Sequence, residues 1–432
     1  MIRQTVLPFK LKRTEERITA RSGLALYAEF IQAMKVETLI DRHFPRPGSG
    51  RGFSAGAYVM PLTLMQYGGG AAIDDIGEIR DDQTLREAIC LKTIPTSAAI
   101  GDWLRRMGGR DGIDTMEQVN DELIRAILKK DSRTGYTLII DPTIIEAEKR
   151  DAHMTYLGFK GYRPVVATLK ENGLAISYEF KEGNDNGGKL ATVKKAFGKL
   201  PAGKQIEETL LDAEYYETDI LAYLEANCKR WAVGADKDEA VKALIGAIPA
   251  YSWRPYKNRE GDATDREIAE VVHAMQQGKV VFRLIVLRWK ERQGDLFTDT
   301  WCYHAIAASM TDERPAEEVV WSYNARAHIE NHIKELKNGF GMGQMPSGDF
   351  GANAVYFGIG VMTYNLFLAQ KILTMPEAWR TKTIKSIRWM LVEVAGKLVR
   401  GGRRIVLKIA ASIEKYAVYL EIRRRTYELM RA

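Results

Sequence analysis

From Gly135 onward the hydrophobic pattern changes period, and this change constrains the fold more than any other feature of the chain. GYTLIIDPT is a short β-prone run ending in Asp-Pro. RPVVATL, LAISYEF and ETLLDAEYY come after it, parted by turn signals such as Glu171-Asn172-Gly173. Between the last two, GGKLATVKKAFGKL sets Leu190, Val193, Ala196 and Phe197 at helical spacing, so the order reads β-β-β-α-β. A helix-like stretch from Asp219 to Ala226 leads to RWAVGAD as a fifth strand. The segment predicts an α/β core.

The flanks read differently. In residues 18 to 44, Leu24, Tyr27, Phe30, Ile31 and Met34 fall at three- and four-residue steps, the spacing of one buried helix face. PRPGSGRGFSAG, from Pro45 to Gly56, reads as a loop, and helical stretches continue to about Lys130. Residues 238 to 318, with VVFRLIVLRW and TWCYHAIA, read as an insertion with strands of its own. A helical region runs from about Glu317, interrupted by the strand-like RRIVLKIA at 403 to 410. At 432 residues two or three domains are expected. The pattern divides them into a mainly helical region at 1–132, an α/β region at 133–345 carrying the insertion, and a helical, basic region at 346–432.

Bulk properties exclude several classes. With 46% hydrophobic and 28% charged residues and no long polar tract, the chain has the profile of a globular protein. Cys90, Cys228 and Cys302 are far apart and form no CxxC pair, which argues against a disulfide framework or a zinc site and fits a reducing cytoplasm. The charges in MIRQTVLPFKLKRTEE do not suit a signal peptide. Ala354 to Leu373 is apolar enough to raise a membrane helix, but Thr363, Asn365, Gln370 and Lys371 interrupt it, and a buried helix is expected. The net charge of +7 is unevenly spread: residues 378–432 hold 14 Lys and Arg against 4 Glu and no Asp. Such a basic segment points to nucleic acid, with a solvated helix face as the bland alternative.

Three acids stand out. Asp141 follows the apolar run Leu138-Ile139-Ile140, and Asp212 follows Thr209-Leu210-Leu211; each should project from a buried strand end, where an acid is expensive without a partner. Taken singly, either could be an ordinary turn or cap residue. In WSYNARAHIENHIKELKNGFG, Tyr323, Arg326, Glu330 and Lys337 would lie within about 60° of one another on a helix turning ~100° per residue. Ile329, Ile333 and Leu336 occupy the neighbouring arc, and Gly339 suits a C-terminal cap. The bland reading is a surface helix, because Arg326 and Lys334 both lie four residues from Glu330. Glu146, Glu148, Glu214 and Asp236 are rival acids, Glu214 above all, since it lies two positions from Asp212. The histidines form no HExxH motif, and His328 falls on the helix face away from Glu330.

An Asp at the first strand end, an Asp after the fourth strand, an insertion, then Y-x2-R-x3-E-x6-K resembles the ribonuclease-H-like DDE transposases of bacterial insertion sequences, the YREK-signature group. GFKGYRPVVATL, KEGNDNGG and DAEYY are similar too, as are the flanks GLALYAEF, DDIGEIRDDQTLREAI and IRWMLVEVAGKLVRGGRRIVLKIA. The resemblance implies a mixed sheet flanked by helices, a DNA-binding N-terminal region, and cut-and-paste transposition of double-stranded DNA. It implies two Mg2+ ions, for which Mn2+ substitutes, bridged by Asp141 and completed by Asp212 and Glu330. Water would cleave at the transposon end, and the freed 3′ hydroxyl would attack the opposite strand or target DNA.

By the same resemblance Arg326, Lys337 and Tyr323 would contact phosphates. One of Trp253, Trp289 and Trp301 in the insertion would stack on a flipped base, although each is also an ordinary core residue. The implied partners are terminal inverted repeats, target DNA and a second copy in a homodimer on DNA, with no membrane, in the nucleoid-associated cytoplasm of a bacterium. The alternatives are a nuclease of the same fold without strand transfer, a domesticated DNA-binding protein, and a helical scaffold whose charges mimic the motif.

Overall fold

A computed structural model describes residues 9, 11–48, 52–275, 279–292, 299–402 and 404–431, without the side chains of residues 292, 299 and 328. Most of MIRQTVLPFK, the middle of the Pro45–Gly56 loop and the placement of the His328 side chain therefore lie outside the described residues. The chain divides into two compact units, Gly101–Leu368 and Met1–Ile100 with Ala369–Ala432, where the sequence pattern draws three regions with boundaries after 132 and 345.

Residues Gly101–Leu368 are built on one nine-stranded sheet. Its strands in chain order are β1 (Gly135–Pro142), β2 (Val165–Leu169), β3 (Ala175–Glu179), β4 (Gln205–Leu211), β5 (Arg230–Gly234), β6 (Arg254–Lys257), β7 (Ala263–Met275), β8 (Val280–Arg292) and β9 (Asp299–Ala308). Their order across the sheet is β6-β7-β8-β9-β5-β4-β1-β2-β3. β1, β4 and β5 run parallel and every other pairing is antiparallel. The parallel strands need crossovers, and the helices Lys189–Phe197 and Thr218–Asn227 supply elements on those connections. The run from β1 to β5 is the mixed ribonuclease-H-like core that the β-β-β-α-β pattern predicts. The insertion's strands continue this sheet, since β9 pairs with β5 through Ile306↔Gly234 and Ala308↔Ala232. They form no sheet of their own.

Strands in the middle of such a sheet are covered on both faces and read as apolar runs. Leu138, Ile139, Ile140, Leu210, Leu211, Ala232 and Val233 are all buried. The helix Phe350–Leu373 is long and apolar enough to span a membrane, and its most apolar 18-residue stretch is buried within the chain. Its polar groups are satisfied there. Thr363 donates to the Ile359 carbonyl at 2.8 Å, and Asn365 accepts from the Ala175 amide at 2.9 Å while donating to the Ala175 carbonyl and to Asn120.

The second unit joins early and late segments of the chain. A three-stranded antiparallel sheet pairs Ile18–Thr19 with Gly396–Gly401, which pairs in turn with Arg404–Ile409. The last strand lies where RRIVLKIA predicts one; its partner was not foreseen. Helices Leu24–Ala33 and Val36–His43 replace the single periodic stretch, parted at Lys35, whose left-handed backbone (φ 55°) ends the first helix. Tyr27 and Tyr67 stack at 3.8 Å in this unit's core, and Arg388 donates to the Gln66 and Tyr67 carbonyls.

Asn365 tests the buried helix most directly. Asn365→Ala strips hydrogen bonds from Asn120 and from both backbone groups of Ala175. In urea titrations followed by tryptophan fluorescence it should destabilise this unit by about 2 kcal/mol or more.

Candidate active site

The register of the parallel strands builds the site. Ile140 of β1 lies opposite Leu211 of β4, so the next residues, Asp141 and Asp212, leave neighbouring strand ends side by side. Both line a cleft of about 650 Å³ together with Glu146, Glu214, Arg163 and Lys337. The Asp141 carboxylate is pushed up to about 7, chiefly by burial; repulsion from Asp212, Glu330 and Glu214 adds to this, and Arg326 opposes it. Asp212 is raised by burial as well. Two half-buried acids of like charge on adjacent strands are a costly arrangement unless cations meet them.

Cations answer these acids one by one. Arg326 donates from Nη1 to Asp141 Oδ1 at 3.2 Å, while its buried Nε has no partner. Arg163, almost wholly buried, pairs with Glu214 and also donates to the Asp185 carbonyl at 3.3 Å. The strand does not continue past Leu211. Asp212 caps a short 3-10 turn over Ala213–Tyr215, its Oδ1 accepting from the Glu214 amide at 3.1 Å. The rival acid of the sequence is thereby tied to an arginine, and Asp212 keeps its other oxygen for a ligand. Glu146 is exposed on the cleft wall, and Glu148 and Asp236 are exposed away from it.

The motif helix is not one straight α-helix. An α segment, Ala316–Asn324, tightens into a 3-10 turn at Ala325–Ala327, resumes as His328–Lys334 and widens into a π turn at Glu335–Gly339. Each change of pitch rotates the residues beyond it, so the stripe predicted at 100° per residue is divided. Tyr323 turns into the core among Val319, Val320 and Ile329, its hydroxyl against Gly234, where a Cβ would lie 2.6 Å away. Arg326 reaches Asp141, and Lys337 donates to the Ile144 carbonyl at 2.6 Å just beyond β1. Glu330 faces solvent, near enough for its charge to act on Asp141. Ile329, Ile333 and Leu336 are buried, as the neighbouring arc requires.

Asp141 and Asp212 offer the hard oxygens that Mg2+ or Mn2+ takes, and the repulsion that burdens Asp141 is what a divalent cation relieves. The pair fits such an ion. Among the described residues no three acid, histidine or cysteine side chains already converge on one point. In this arrangement Arg326 holds the place of counter-ion to Asp141, with Glu330 outside the cleft.

The three tryptophans of the insertion have different surroundings. Trp253 and Trp301 both lie against the Arg288 guanidinium, at 4.0 and 4.4 Å from their ring centres. Trp253 is buried, whereas Trp301 is 38% exposed. Trp289 points to the other face of β8 and carries Arg266 at 4.6 Å. Arg163 was missed in the sequence. The available signal was a basic residue opening a strand, Val165–Leu169, buried at every position, which requires an acid nearby.

The family described as transposase DDE domain, group 1, matches the chain over residues 7–430. A cryo-EM structure of the piggyBac transposase synaptic complex with hairpin DNA is similar in fold, at 11% identity and a TM-score of 0.47, covering 96% of this chain and 81% of that one. No curated protein matches the sequence.

The acids of the cleft differ in what their loss should do. Glu214→Gln leaves Arg163 a buried, unpaired charge, so it should lower stability by about 3 kcal/mol while Mn2+ binding by calorimetry persists. Asp212→Asn should abolish Mn2+ binding and leave stability nearly unchanged. The folded Asp141 carboxyl titrates near 7, above the value of about 3.9 for an unfolded chain, so its ionised form costs stability: nothing below pH ~4, increasingly up to about 7, and fully above that. In chelator-treated protein, Asp141→Asn should therefore gain in melting temperature on the wild type as pH rises from about 4 to about 8.

Proposed function

The chain belongs to the transposase DDE domain group 1 family, and on that premise we propose that it is an insertion-sequence transposase that cleaves DNA at the ends of its element and joins them to target DNA. The observation that carries this reading is the pairing of Asp141 and Asp212 at adjacent parallel strand ends in one cleft, with the charge of Glu330 bearing on Asp141. Asp141, Asp212 and Glu330 are the proposed ligands of two Mg2+ ions, for which Mn2+ substitutes.

A divalent cation held there supplies Lewis acidity to the phosphodiester and favours the deprotonated form of the attacking oxygen. The chain's own groups then orient the DNA. For Glu330 to join the aspartates, the Arg326 guanidinium must leave Asp141, and a DNA phosphate is the anion it would take instead. Lys337, on the cleft wall, supplies a second cation for the backbone. Water attacks the phosphorus at the element's end, expelling the 3′ oxygen as a free hydroxyl and leaving a 5′ phosphate on the adjoining nucleotide of the same, cut strand. That hydroxyl then attacks a target phosphodiester, so one bond forms as one breaks. Tyr323 serves as the packed support of Arg326, whose guanidinium lies 5.7 Å from its ring.

In this reading Trp301 is the tryptophan most open to a flipped base, the mainly helical N-terminal region and the basic C-terminal region add DNA contacts, and two copies pair two ends. A nuclease of the same fold would cut and stop. The distinction is made with pre-cleaved ends taken from the inverted repeats flanking the reading frame, a supercoiled target plasmid and Mg2+. Joined product is expected from the wild type. Glu330→Ala and Asp141→Asn should reduce joining by roughly a thousandfold or more with DNA binding intact. Cleavage without any joined product would support the nuclease.

A further inference from the structure

Between β1 and β2 the chain forms a small antiparallel sheet, Ile145–Glu146, His153–Met154 and Lys160–Tyr162, in the order first, third, second. The turn joining its last two strands is Thr155-Tyr156-Leu157-Gly158-Phe159. Large apolar side chains there stand in water: Tyr156 is 78% exposed, Leu157 55% and Met154 54%. Single exposed apolar residues are unremarkable, but three within four residues, two on the turn and Met154 at the strand end leading into it, are not. Tyr156, Leu157 and Phe159 also line the cleft of Asp141 and Asp212.

The turn is held rigidly. The Thr155 amide and hydroxyl each donate to the Phe159 carbonyl at 2.8 Å, and the Gly158 amide donates to the Thr155 carbonyl at 3.1 Å. Gly158 adopts φ 85°, which a side chain would oppose. The small sheet is braced from below by the Asp151 amide on the Gly348 carbonyl and by Asp151 Oδ2 accepting from the Phe350 amide. An apolar tip presented in one conformation loses little entropy on contact.

We infer that Tyr156 and Leu157 form a wedge that contacts unpaired or unstacked bases beside the phosphate held at Asp141 and Asp212. The inference rests on the proposed DNA-cleaving function and adds how the duplex is opened. The rest of the cleft wall argues for this occupant. Its charged groups, Arg163, Lys337 and the acids, suit a phosphate and its ions, and the exposed Tyr156 and Leu157 beside them suit the faces of bases. Apolar side chains inserted at a base step unstack it, and an aromatic ring stacks on any base without regard to sequence.

The test uses the full chain without divalent metal at low salt and two fluorescent duplexes of about 30 base pairs, one fully paired and one with a central two-base mismatch that is cheaper to open. The wild type should bind the mismatched duplex about tenfold more tightly, and Tyr156→Ala with Leu157→Ala should erase that preference. Tyr156→Trp should keep it. Both side chains are exposed, so unchanged melting temperatures are expected and serve as the folding control. An Ala variant that retains the preference, or weakens both duplexes equally, overturns the wedge and leaves the proposed function standing. Failure of the wild type to bind either duplex overturns both. A change of oligomeric state in the Ala variant, with the mismatch preference intact, would mark the tip as a contact for a second copy and also overturn the wedge.

Discussion

Two parallel strands that bring an aspartate to the same level, Asp141 near the end of β1 and Asp212 just past β4, create the problem around which the rest of the core is arranged. The pairing of Ile140 with Leu211 fixes the two carboxylates as neighbours before any side chain chooses a rotamer. Because β1 and β4 are central and buried, the acids are only partly exposed to water. Their charge has to be met by cations within the fold or by ions taken from outside it.

The fold uses both answers. Glu214 is given Arg163, a buried partner that holds it by an ion pair. Asp141 is given Arg326, a partner from a helix whose pitch changes on either side of it. An arginine placed on a 3-10 turn, with one buried nitrogen left without a partner, is held less completely than Arg163. The asymmetry separates an acid with a firmly held partner from one whose partner is held less completely, although both sit in the same cleft.

Much of this was legible in the sequence, for identifiable reasons. An apolar run that stops at an acid is a strong signal, because central strands need every position apolar; Asp141 and Asp212 were read that way. The β-β-β-α-β order followed from period alone. The divided stripe could not be read, since the 3-10 and π turns around Glu330 arise from packing against the sheet and leave no mark on residue spacing. Nor could the junction of β9 with β5, which turns the insertion into an extension of the core sheet: strand order across a sheet is a tertiary fact. The exposed turn at Tyr156 escaped notice because an apolar residue in a sequence is ordinarily assigned to a core.

The pairing of Ile18–Thr19 with Gly396–Gly401 has a consequence for synthesis. Chains emerge from the N-terminus at ~5–20 residues per second, and domains tend to fold as they appear. Residues Gly101–Leu368 are all available before the strand that Ile18 pairs with has been made, so for a time on the order of tens of seconds the early helices lack their partner segment. A chain interrupted shortly after Leu368 would carry every acid of the cleft while leaving the other unit without its late half. Synthesis of the last strands and of the helix Ile413–Arg431 is thus the step that supplies the early segment with its partners, after every strand of the nine-stranded sheet is already in hand.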